Sequence, residues 1–259
     1  MTYTQLLNRA LELLDEQGPE QAYELMKEEG SRVENANQAQ IYNFTYCFAS
    51  LSGRIDEAMG LLKEAVYTKG FWYDYQYLME DEDLQELRAR SEFETLAQLC
   101  RERQEKAQES AAPLLAEEAV EAGKPFLMVL HGDQQNAQMT SPYWQAAKEQ
   151  GYGLALAQSS QIQVSDGYLW DDEEQAAQEI KDHWEKLTQA GADADRSILC
   201  GFSSGGRAAF YAAVTGMVKP HAMILVSPWL PELEEWTEDL SKLCLLYTSP
   251  SPRDRTRSR

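Results

Sequence analysis

The sequence is short of the features that would place it in a membrane, outside a cell or on nucleic acid. No apolar run in its 259 residues reaches the ~18 of a membrane-spanning helix. The opening MTYTQLLNR has no basic stretch ahead of an apolar core, so it is not a secretory signal. Cysteine is sparse. Cys47, Cys100, Cys200 and Cys244 are scattered without a CxxC pair, which points to neither a zinc site nor a disulfide framework. A cytoplasmic protein with reduced thiols, no metal and no cofactor is expected. Lys and Arg number 23 against 43 Asp and Glu, a net charge of −20. That field repels phosphate backbones, excludes nucleic acid as a partner and disfavours densely anionic substrates. Histidine is scarcest of the reactive residues: there are His131, His183 and His221, and none follows.

What is present suffices for a packed core. Hydrophobic residues make up 43%, and the length allows one or two domains. Residues 1–108 read as helices throughout. Leu6, Leu7, Ala10, Leu11, Leu13 and Leu14 form an apolar stripe at helical spacing that stops at Gly18. Pro19 then opens a second helix with Ala22, Tyr23, Leu25 and Met26 inward. Residues 41–53 repeat the pattern of residues 6–18 after 35 positions, Asn43 answering Asn8 and Gly53 answering Gly18. With one residue inserted, Ala58, Leu61 and Leu62 answer Ala22, Leu25 and Met26. A period near 35 built as helix-turn-helix is similar to a tetratricopeptide repeat, and such repeats imply a protein or peptide partner. The aromatic run FWYDYQY at residues 71–77 is expected as helix-packing core, with a ligand-facing surface as the other reading. Residues 109–124, rich in Ala and Glu and weakly amphipathic, read as a linker.

From residue 125 to 243 the texture alternates. Apolar strands are expected at 126–130, 154–157, 197–200 and 222–226, with helices at 143–149, 173–190 and 204–215. That order implies a parallel sheet flanked by helices, so the fold class is an α-helical repeat domain followed by α/β. Within it, Gly201-Phe202-Ser203-Ser204-Gly205 fits G-x-S-x-G between an apolar strand and an Ala-rich helix. The pattern has a physical reason. A serine on a sharp strand-to-helix turn is exposed above the sheet edge only if Gly201 and Gly205 let the backbones pass closely. Ser203 is therefore the candidate nucleophile.

Four segments, FLMVLHGD, YLWDD, ILCGFSSGG and AMILVSPWLP, resemble the phospholipase/carboxylesterase group of α/β-hydrolases, which includes acyl-protein thioesterases; the resemblance covers residues 125–233. It implies a serine hydrolase acting on a small acyl ester or thioester, without a cofactor. It implies an oxyanion hole from the backbone N–H groups of Asp133, after the His131-Gly132 pair, and Ser204. It places Trp170 near the acyl site. Two residues depart from the family pattern: Asp133 brings a carboxylate beside the oxyanion hole, and Ser204 stands where the thioesterases commonly have Gln. A peptidase remains open, since G-x-S-x-G-G also occurs in oligopeptidase-like hydrolases.

The family's order is Ser, acid, His, so His131 reads as a structural loop residue and His183 and His221 as bystanders. Glu232, Glu234, Glu235, Glu238 and Asp239 follow Ser203, but no histidine follows them. Residues 244–259, CLLYTSPSPRDRTRSR, resemble the translated read-through of a sequencing-library adapter. The expectation is a non-native tail, a natural sequence cut near Leu243, an incomplete hydrolase domain and an inactive chain as given. The alternative is a protein-binding scaffold with a non-catalytic hydrolase-like half.

Overall fold

The computed structural model describes residues 1–231, 233 and 236, which fall into two compact units. The acidic residues Glu232, Glu234, Glu235, Glu238 and Asp239, and the tail at 244–259, lie outside the described residues.

The first unit is all helical apart from one short insertion; it comprises Met1–Ala111 together with Ile162–Gly167. Helix α1 (Tyr3–Gln17) starts at a capping box: the Thr2 side chain accepts from the Gln5 N–H, and the Thr2 N–H donates to Gln5 Oε1. It stops at Gly18, whose φ of 96° is open to glycine at little cost, and Pro19 begins α2 (Pro19–Glu29). Helices α3 (Gln38–Leu51) and α4 (Ile55–Lys63) repeat the hairpin, turning at Gly53 with φ 77°. This is the recurrence legible in the sequence. A π turn at Glu64–Thr68, then α5 (Tyr75–Glu80), α6 (Gln85–Arg88) and α7 (Phe93–Ser110), complete the unit. Leu6, Tyr23, Met26, Tyr46, Leu62 and Phe93 sit in one core.

The aromatic run joins that core but is not helical at its start. Trp72 and Tyr73 are buried, and Tyr73 donates its hydroxyl to Ala39 O at 3.0 Å. Trp72 is tied to Ser165: its N–H donates to Ser165 Oγ (2.7 Å), and its carbonyl accepts the Ser165 N–H (3.1 Å). Those bonds divert residues 71–74 from the helix the sequence suggests.

The second unit is built on a five-stranded sheet in the order β1-β3-β2-β6-β7. The strands are β1 (Leu114–Glu118), β2 (Phe126–Leu130), β3 (Gly153–Gln158), β6 (Ile198–Phe202) and β7 (Ala222–Val226). A small hairpin, β4 (Gln161–Val164) and β5 (Gly167–Leu169), stands apart from the sheet. All neighbours in the sheet are parallel except β1, which runs antiparallel to β3. Helices α8 (Ala137–Thr140), α9 (Ala146–Glu149), α10 (Glu173–Gln189) and α11 (Ser204–Val214) connect them.

Strand β2 is buried along its length because both faces of the sheet are covered. Phe126, Met128 and Leu130 meet Ile180 and Trp184 of α10 and the alanines of α11, while Leu127 and Val129 face Ala137 and Trp144. The expected linker is corrected at 114–118, where the chain forms strand β1. Its alternation is faint because it is an edge strand, rimmed by charge as edges commonly are. Glu118 is held by Lys148 (2.8 Å), Ser141 (2.6 Å) and Gln145 (3.0 Å), which bring its carboxyl down to about 2.

Candidate active site

The chain crosses from β3 on one side of β2 to β6 on the other. The carboxyl ends of β2 and β6 therefore diverge into loops on opposite faces, the place where open α/β sheets bind ligands. Leu130 and Gly201 are partners in register there, so the segment after β2 and the turn after β6 lie side by side.

Ser203 sits at the apex of that turn with φ 53° and ψ −120°, a strained conformation for a residue with a side chain. Its N–H donates to Val226 O (3.1 Å), and its carbonyl accepts from Arg207 N–H (3.2 Å), so the turn is clamped on both sides. The glycines are steric requirements. A Cβ on Gly201 would lie 2.2 Å from Gly205 O, and one on Gly205 would lie 2.2 Å from His131 O. Gly206 also presses close, with 3.0 Å to Pro228 Cβ. The G-x-S-x-G-G pattern is what lets α11 start directly against β2 and β6.

The loop expected to supply the oxyanion hole, residues 131–135, is held by its own polar groups. His131 is fully buried, and both ring nitrogens are engaged: Nδ1 with Gly132 O at 2.7 Å, and Nε2 accepting from Ser159 N–H at 3.3 Å. Burial lowers the imidazole to about 4, so it is neutral at pH 7 and is not poised as a base. Gly132 N–H donates to Gln135 Oε1 (3.2 Å), and a Cβ at Gly132 would strike Phe202 at 2.7 Å. Among the described residues, neither the Asp133 N–H nor the Ser204 N–H donates a hydrogen bond within the chain. Ser204 is the first residue of α11, where helical N–H groups have no partner of their own. Its hydroxyl is buried and unpartnered. Asp133 has an exposed carboxylate.

Trp170, expected beside an acyl chain, is 2% exposed. Its indole N–H donates to His131 O at 3.0 Å, and its ring lies 4.9 Å from the imidazole. It props the loop from beneath. Three charged residues without an expected role, Arg207, Glu173 and Asp171, complete the surroundings. Arg207, one turn beyond Ser203, pairs with Glu173 at 2.9 Å, and its guanidinium lies 5.0 Å from the Trp229 ring centroid. Asp171 is raised by burial and by the nearby Asp133 carboxylate, against the pull of Arg207. The order of Ser203 and Arg207 on one helix face was a readable signal; the Glu173 contact was not.

The other histidines lie elsewhere. His221 precedes β7, its N–H on Ser197 O, at the end of the sheet opposite Ser203. His183 lies in α10 with its Nε2 buried and unpartnered; burial, then Lys186, lowers its pKa. Among the described residues, no group of His, Cys, Asp and Glu is arranged to hold a metal, and no helix is long and apolar enough to cross a membrane. Cys47, Cys100 and Cys200 are free thiols.

Residues 2–108 match the family described as A/B hydrolase-like, N-terminal domain. No curated protein matches the chain. Among solved structures, an uncharacterized protein from Bacillus cereus ATCC 10987 is 40% identical, with 94% of this chain and 78% of that chain covered and a TM-score of 0.45. A monoacylglycerol lipase from Paleococcus ferrophilus is 17% identical, over 51% of this chain and 52% of its own, with a TM-score of 0.36. The Bacillus cereus carboxylesterase is 16% identical, over 49% and 66%, with a TM-score of 0.37. The chain thus spans about half to two thirds of the length of these two enzymes.

Proposed function

We propose that this chain, which belongs to one family with the Bacillus cereus ATCC 10987 protein and carries an A/B hydrolase-like N-terminal domain, is a serine hydrolase of carboxylic esters or thioesters. The observation that carries the reading is the strained φ of 53° at Ser203 on a glycine-lined strand-to-helix turn. Backbone strain of this kind persists where a side chain must be presented. Ser203 Oγ attacks the acyl carbonyl, the C–O or C–S bond to the leaving group breaks, the serine proton passes through solvent to the departing oxygen or sulfur, and the acyl-serine stands until water slowly cleaves it. The charge that develops on the carbonyl oxygen falls to the Asp133 and Ser204 N–H groups, each of a kind worth on the order of 10²–10³ in rate. His131 holds the loop rather than taking the serine proton.

None of the three histidines is offered to Ser203, and an unassisted hydroxyl is a weak nucleophile at neutral pH. The proposal therefore includes that none of these three histidines is the base and that the chain as given acylates without turnover.

The test has two arms. Prolonged exposure to a fluorophosphonate, followed by intact mass and peptide mapping, should place one adduct on Ser203 and none in Ser203→Ala. Hydrolysis of p-nitrophenyl acetate should be equal in the two proteins. Absence of the adduct would leave the scaffold reading in its place, and serine-dependent turnover would overturn the missing base.

A further inference from the structure

The β4–β5 hairpin is shared between the two units along the chain. Ile162–Gly167 fold with the helices, whereas Gln161 and the residues from Tyr168 onward fold with the sheet. Both ends are held by specific bonds. At the tip, every polar group of Ser165 is engaged: its N–H donates to Trp72 O (3.1 Å), its Oγ accepts the Trp72 N–H (2.7 Å), and its carbonyl accepts from Asn37 Nδ2 (2.8 Å). Asn37 and Ser165 are 3% and 8% exposed. Ile162 packs into the helical core. Asn37 is meanwhile the cap of α3, its Oδ1 accepting from Gln40 N–H at 3.2 Å.

The base of the hairpin grips the oxyanion loop. Tyr168 N–H donates to Gln135 O (3.1 Å), and Gln134 N–H donates to Tyr168 O (2.9 Å), a single antiparallel bridge. Two residues on, Trp170 donates to His131 O. These bonds bracket Asp133 on both sides, and Gln134 is held at φ 54° beside it. Only Asp166 and Gly167 separate Ser165 from Tyr168.

We propose that Asn37 and Ser165 are positioning residues for the oxyanion loop: by fixing the hairpin tip in the helical unit they fix, through the continuous chain, the strand that aims the Asp133 N–H. The proposal rests on reading residues 131–135 as the oxyanion loop. The measure of the coupling is the protection of the loop's backbone N–H groups.

Backbone amide exchange on the whole chain supplies it. Asn37→Ser keeps a helix cap but loses the donor to Ser165 O. Ser165→Ala keeps the backbone bonds but loses the acceptor for Trp72. In each, exchange at Gln134 and Tyr168 should rise about three- to tenfold, the equivalent of roughly one hydrogen bond, with Met128 and Leu156 unchanged. Ser165→Thr, which keeps the hydroxyl, should restore protection. Thr2→Ala, which removes the cap of α1, should leave Gln134 and Tyr168 as they were.

A rise confined to Ile162–Gly167 overturns the inference, as does an equal rise at Met128 and Leu156. Loss of protection in Ser165→Thr matching that in Ser165→Ala overturns it too. Exchange does not depend on Ser203 reacting, so failure of the hydrolase reading would show separately, as absence of the Ser203 adduct.

Discussion

The close approach of α11 to β2 can be tested at Gly205, where a single methyl group is the perturbation. In Gly205→Ala the new carbon would lie 2.2 Å from His131 O, 2.8 Å from Leu130 O and 2.9 Å from Leu130 C. All three are backbone atoms, two at the end of the buried strand β2 and one on His131 just after it, so no flexible side chain can swing aside. Ordinary carbon contacts need about 3.5 Å or more, so α11 must retreat by roughly 1 Å. Overpacking of this kind costs about 1–3 kcal/mol, and here the upper end applies. Alanine returns about 0.5–1 kcal/mol through its lower conformational entropy when unfolded. The net expectation is about 2 kcal/mol of destabilisation. Gly60→Ala is the matched control: it lies inside α4 with nothing within 4 Å of its Cβ position, so it should stabilise by about 0.5–1 kcal/mol. Urea unfolding followed by tryptophan fluorescence and circular dichroism reads both. Gly205→Ala with an unchanged midpoint would refute the reasoning that the glycine is a steric necessity.

Other consequences follow from buried groups. His131 has its pKa lowered to about 4 by burial, while the unfolded chain titrates near 6.5; the unfolded state therefore binds more protons between these values. Stability should be full above about pH 6.5 and fall by roughly 3 kcal/mol on approach to pH 4; in His131→Gln the part of that slope due to His131 should vanish, and an identical pH dependence would contradict it. Trp170→Phe leaves the His131 carbonyl without its donor and should cost about 1–3 kcal/mol, with faster exchange at Gln134. Burial raises the thiols of Cys47 and Cys100 to about 12 and about 11, and moves Cys200 upward as well. Iodoacetamide at pH 8 should leave all three unmodified until urea is added, and rapid labelling in the native protein would count against the packing described.

How much of this was legible depends on whether the determining contact is local. Strand β2 reads as FLMVL because covering both faces demands an unbroken apolar run, and the Gly201, Ser203 and Gly205 pattern reads because the steric demand lies within five residues. Strand β1 was taken for linker because an edge strand satisfies its polar side chains with distant partners: Glu118 with Lys148, and Glu117 with Lys186. In the β4–β5 hairpin the alternation of QIQV and the Asp166-Gly167 turn are local and legible, but the bonds of its tip to Trp72 and Asn37, 93 and 128 residues away from Ser165, are not. His131 lies between these cases. Chain order alone argues that it is not the base, but the physical cause is that Gly132 and Ser159 already occupy both its nitrogens. The Ser203 turn is thus written where it stands, whereas the segment from His131 to Gln135 is shaped by residues the sequence scatters from Ser159 to Trp170. A motif search finds the first; only the fold finds the second.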